Sequence, residues 1–169
     1  MTINLRHTIA CSISAVLLVA FAPTFTSAAH AEMTPEQASV YYLAHECRNS
    51  LALYLFVHDM TRHGSIRFAD VEKRFPRFKR EARKLGAAQT RFATRLLGPP
   101  DVWPAQVASS VQAVADAGFK SGRFLAHAAQ APTPRSWWRT FWKANGQITK
   151  VEKGKAEIRV LLNLSPTEC

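Results

Sequence analysis

At 169 residues and a formal net charge of +10, the chain is long enough to bury a real core and short enough that one domain is the simplest count. The positive balance biases encounters toward anionic partners and does not determine the fold. The sequence shows no convincing β-alternation, no internal repeat and no low-complexity tract, which excludes repeat arrays and points to helices.

The first stretch reads as an address. Arg6 precedes the apolar run Ile9 to Phe21, and Thr26-Ser27-Ala28-Ala29-His30-Ala31 follows with small residues at Ala29 and Ala31. A basic start, an apolar run too short for a ~30 Å bilayer and a small-residue site predict a secretory signal cleaved after Ala31. The alternative is an uncleaved anchor, which the short run disfavours. There is no twin-arginine pair, and Cys11 lies inside the apolar run, too early for lipid modification. The expected mature domain is 32–169, exported; losing Arg6 lowers its net charge by one.

Thr34-Pro35-Glu36-Gln37 predicts a helix start, with a hydroxyl cap, proline in the first turn and Gln37 placed to answer the cap. The stripe that follows is Val40, Leu43, Ala44, Cys47, Leu51, Tyr54, Leu55 and His58, and His63-Gly64 is the expected stop. Ser65 to Arg74 reads as a short helical turn, because Pro76 favours a new first turn. The second helix runs from Pro76 to Leu97, with Phe75, Phe78, Ala82, Leu85, Phe92 and Leu96 on one face; Gly98-Pro99-Pro100 stops it. Trp103-Pro104 opens a third helix, with a stripe of Val107, Val111, Val114, Gly118, Ser121 and Leu125 among many small residues. After the linker Ala131 to Pro134, a fourth helix runs from about Arg135 to Leu164, carrying Trp137, Phe141, Ala144, Ile148, Val151, Ile158 and Leu162. Asn145-Gly146 is a place where it could bend or split. Four amphipathic helices on short connections predict an all-α, antiparallel up-down four-helix bundle.

Few residues invite catalysis. No Gly-x-Ser-x-Gly, phosphate-cradling glycine loop or paired carboxylates occur, so an enzyme is the minority reading. Asp59 with His63 makes only a two-ligand metal pair, and no Cys-x-x-Cys-His supports covalent haem; no cofactor or metal is expected. The second helix carries Arg77, Arg80, Lys84, Arg91 and Arg95 in one row, with Glu81 its only internal carboxylate. That cationic face is the expected binding surface. Trp138 and Trp142, one step round from the fourth helix's stripe, suit a membrane interface or a partner's pocket; the plainer reading packs them on Pro99, Pro100 and Trp103. Export argues against nucleic acid, leaving anionic lipid, envelope polymer or an acidic protein as partner. Two further readings stay open: a haem or lipid carrier, and an inhibitor of a toxin or hydrolase in the export compartment.

Cys47 and Cys169 are the two cysteines of the expected mature chain. In an oxidising compartment they are expected to pair, closing a loop of roughly 120 residues worth about 4–5 kcal/mol in the chain-entropy model. The alternative is a buried Cys47 thiol with Cys169 free for an intermolecular bond. Tyr42-Leu43 followed by Cys47, Trp103-Pro104 with Val107, and Leu161-Leu162 with Leu164, Pro166 and Cys169 resemble a group of exported helical proteins of actinobacteria. Its members are often lipid-anchored, and this chain lacks the cysteine after the signal that anchoring requires. The resemblance implies a helical fold and the Cys47–Cys169 pairing, and carries no activity or functional residue with it.

Overall fold

The structure, a computed structural model, describes residues 31–61 and 66–165. The expected signal segment before Ala31, His63-Gly64 and Cys169 lie outside the described residues. The described residues form five helices: α1 Pro35–Met60, α2 Phe68–Lys73, α3 Phe75–Leu97, α4 Ala105–Ala129 and α5 Pro134–Leu161. Among the described residues no helix is long and apolar enough to cross a membrane.

The helix starts follow from local chemistry. Thr34 Oγ1 accepts the Gln37 amide at 3.3 Å while the Thr34 amide donates to Gln37 Oε1 at 2.8 Å, so two donors of the first turn are satisfied reciprocally. Thr133 and Ser136 do the same at the start of α5. The first amide of α4 instead donates to a distant carboxylate, Ala105 N to Glu32 Oε1 at 2.9 Å. The residues before α1 are tied to the connection before α4 by Met33 N to Val102 O and Val102 N to Ala31 O. The end of α1 differs from expectation: it stops at Met60, because Thr61 turns extended and returns both its amide and its hydroxyl to the Val57 carbonyl. Helix α5 runs unbroken through Asn145-Gly146 and closes at Asn163, whose φ of 53° is the left-handed conformation that ends helices.

The four long helices share the core. Helix α4 packs on α3 and on α5, and α1 lies across α3, with side chains reaching α5. The α3–α4 contact is close because it is lined by Gly86, Ala93, Gly118 and Gly122. A Cβ added at Gly86 would sit 3.0 Å from Leu125 Cβ, and one at Gly118 3.0 Å from Ala93 Cβ. Gly154 admits Val114 in the same way on the other side of α4. Two apolar clusters result, one around Tyr42, Phe92, Leu96, Trp103, Val111 and Ile158, the other around Met60, Phe78, Leu85, Leu125, Trp137 and Phe141. On α1, α3 and α4, buried polar residues fall between them: Glu46 and Asn49, Gln89, and Ser121.

The expected stripes of α4 and α5 are buried throughout, and that of α3 is buried apart from Phe75, which is half-buried. The stripe expected for α1 is not. Val40 is 72% exposed, Tyr54 64%, Leu51 57% and Leu55 50%, and the face turned inward is Ala38, Tyr42, Glu46, Asn49, Phe56 and Met60. A charge and an amide occupy the middle of that inner face, and apolar periodicity passes over them.

Candidate functional site

The inward turn of α1 brings Glu46 to α5. Its carboxylate accepts from Ser50 at 2.8 Å and from Arg159 Nη2 at 2.6 Å, and lies 3.6 Å from Lys155 Nζ. Lys155, 2% exposed, also reaches Glu152 at 2.8 Å. Burial pushes the Glu46 pKa up, but the Ser50 and Arg159 hydrogen bonds and the Lys155 charge outweigh it and hold the carboxyl below its ordinary value. Burial, seconded by Glu46, drives the Tyr42 phenol far above its usual range. Each member of this cluster has a partner of opposite sign, so it is a fastener between helices.

The opposite flank of α1 is different. Between α1 and α3 lies a cleft of about 210 Å³. Its floor is opened by the small Ala52 and Ala88 and walled by Phe92. From α1 come His45, Arg48 and Asn49, which share a face at i, i+3 and i+4; from α3 come Arg91 and Arg95. Tyr41 fixes the rim: its hydroxyl donates to the Arg95 carbonyl at 2.9 Å, and its ring meets the rings of His45 and Trp103 edge-on at 4.7 and 5.7 Å. Among the described residues none of Arg48, Arg91 and Arg95 makes an ion pair. Burial lowers the His45 pKa, and the charges of Arg95 and Arg48 lower it further, so the three groups act on one space and the imidazole is neutral at neutral pH. Asn49 is 2% exposed, and both its amide nitrogen and its carbonyl oxygen lack a hydrogen-bond partner.

The cationic row expected on α3 is therefore divided. Arg77 lies 3.9 Å from Asp59 of α1, and Arg80 and Lys84 straddle the buried Glu81 at 3.2 and 3.1 Å. Only Arg91 and Arg95 enter the cleft. Arg48, His45 and Asn49 are the lining residues that a reading of α3 alone misses; the signal for them is that Arg48 is the single Lys or Arg of α1 and shares a helix face with His45. The tryptophans lie elsewhere. Trp138 is half-buried against Phe68 of α2, at 5.7 Å and edge-on, and Trp142, 49% exposed, meets Trp138 at 5.5 Å. They flank the second apolar cluster, whereas Trp103 belongs to the first, so the expected packing on Trp103 is replaced by packing on α2. Trp142 borders a separate cleft of about 280 Å³ with Phe56, Ile66 and Ile148.

Chemically, the α1/α3 cleft offers three guanidiniums, a neutral imidazole and an unpartnered amide with no carboxylate among them. His45 has an aromatic edge beside it, where a catalytic histidine carries an orienting acid. Such a set has the charge and donors to hold an anion; it has no acid positioned to orient His45 as a base. No protein-family model, curated protein or solved structure matches the chain.

Proposed function

We propose that the chain is an exported, non-enzymatic protein of the cell envelope that holds an anionic partner on cations shared by α1 and α3. Anionic lipid, an envelope polymer and an acidic protein all present the required charge. The observation that carries this reading is the trio Arg48, Arg91 and Arg95, which line one cleft with no ion-pair partner among the described residues. Exposed cations disperse at little cost, so their convergence favours a charged visitor. The cleft is below the ~300–1,000 Å³ of pockets that enclose drug-sized ligands. That favours a headgroup-sized anion over haem or a whole lipid.

The test is binding of the mature chain to vesicles of phosphatidylglycerol in phosphatidylcholine. Affinity should fall steeply as the Debye length shrinks from ~30 Å at 0.01 M salt to ~8 Å at physiological salt. Reversing Arg91 and Arg95 to Glu should abolish binding, while reversing Arg80 and Lys84, already shared with Glu81, should cost much less. Binding indifferent to salt, or intact after Arg91→Glu with Arg95→Glu, overturns the reading.

The same proposal includes an antiparallel up-down four-helix bundle closed by a Cys47–Cys169 disulfide. Arg159 supports it, because this one guanidinium holds both Glu46, the neighbour of Cys47, and the Ser165 carbonyl, so the chain just after α5 is fastened to the same group as α1. Alkylation of the unfolded, unreduced mature chain should find no free thiol, and reduction should lower stability by up to about 4–5 kcal/mol.

A further inference from the structure

Beyond a general preference for anions, and resting on that reading, we infer that the α1/α3 cleft is a binding site for a phosphate group that still carries a proton. Two observations meet there. Three guanidiniums with no ion-pair partner among the described residues ask for a compact anion of more than one charge, and arginine's forked donors match the oxygens of a phosphate two at a time. A carboxylate brings only one charge and two oxygens to three forks.

The second observation is Asn49, 2% exposed and unpartnered at both ends of its amide. A buried polar atom without a partner is costly and calls for an occupant. Its nitrogen can only donate and its oxygen can only accept. One small anion meets both demands: an ionised phosphate oxygen accepts from the nitrogen, and the P–OH of a protonated phosphate donates to the carbonyl oxygen. Sulfate at neutral pH has no proton to offer, nor has a phosphodiester. Inorganic hydrogenphosphate carries two charges and a P–OH together; the terminal monoester of a lipid or polymer offers the P–OH only as its singly charged form, and binds through the same donors with one charge fewer.

The experiment uses the intact mature chain and calorimetric titration with inorganic phosphate and with sulfate at equal ionic strength, followed by vesicles of phosphatidic acid and of phosphatidylglycerol in phosphatidylcholine. One phosphate per chain is expected, bound more tightly than sulfate. Arg48→Gln and Arg91→Gln should each weaken phosphate roughly 10- to 100-fold, the loss of one charge-assisted hydrogen bond. Arg83→Gln, an exposed α3 cation outside the cleft, should change it less than about twofold. Asn49→Leu should erase the preference for phosphate over sulfate while the arginines still hold both. If that variant does not fold, competition by a phosphodiester replaces it and should displace phosphate only at well above the concentration at which phosphate itself saturates the site. Tighter binding of phosphatidic acid than phosphatidylglycerol vesicles identifies a lipid source; phosphate binding with no such preference identifies a free or polymer-borne group. No saturable phosphate binding up to millimolar concentration, equal affinity for sulfate, or equal damage from Arg83→Gln overturns the inference. If phosphatidylglycerol vesicles still bind in a salt-sensitive way, the wider anionic reading survives its loss; if they do not, both fall.

Discussion

Lys155 and Glu46 are among the least exposed charged side chains described, and they lie 3.6 Å apart with Arg159 and Glu152 completing the set. Removing one member leaves the others dry and unbalanced, so Glu46→Ala is expected to cost about 3–5 kcal/mol in chemical denaturation. A Glu46→Leu, Lys155→Met pair should recover much of that, since an apolar replacement removes both charges. The sign with pH follows from the depressed Glu46 pKa: its contribution is whole above the ordinary carboxylate value of 4.5 and is lost as pH falls through the lower folded value. Acid titration of the wild type should therefore show a loss of stability below about pH 4.5 that Glu46→Leu, Lys155→Met lacks. His45 gives a second test. It faces Tyr41 and Arg48 on its own helix and Arg91 and Arg95 across the cleft, and its lowered pKa leaves it neutral at neutral pH. Sulfate keeps its charge across the relevant range, so any sulfate affinity should rise as pH drops below 6.5 and His45 gains a proton, and His45→Gln should flatten that rise. The row Arg77 to Arg95 can be read from α3 alone. Its division cannot, because Asp59 and Glu81 claim its first half through geometry, and Arg48 joins its second half only once α1 is turned the right way round.

At the scale of elements, α3, α4 and α5 are legible because most of their buried stripe is apolar at helical spacing, and the few polar members, Glu81, Gln89, Ser121 and Lys155, do not shift the stripe. Helix α1 misleads because both of its faces are partly apolar. Leu51 and Leu55 look outward while Glu46 and Asn49 look inward, and only the partners on α5 explain the choice. Leu51→Lys and Leu55→Lys are therefore expected to change stability by less than about 0.5 kcal/mol, whereas Phe56→Ala, emptying a place in the core, should cost roughly 3–5 kcal/mol. Thermal melts of the three variants separate this orientation from its reverse. Between α3 and α4, Gly86→Val has nowhere to put its branches beside Leu125 and the Gly122 carbonyl; a loss of about 1–3 kcal/mol is expected from overpacking. The small residues of α4 are visible in the sequence, but which of them touch α3 depends on the crossing.

Over the whole molecule, the contacts divide into near and far. Helices α3, α4 and α5 are joined in series by short connections, so their pairings close small loops. Helix α1 is different: Tyr42 to Lys155 and Glu46 to Arg159 each span 113 positions. A ribosome adding about 5–20 residues per second finishes Glu46 roughly 6–23 s before it reaches Arg159. For that interval the carboxylate has been synthesised and its counter-ions have not, so the first long helix to be made is the last that can settle in its seat.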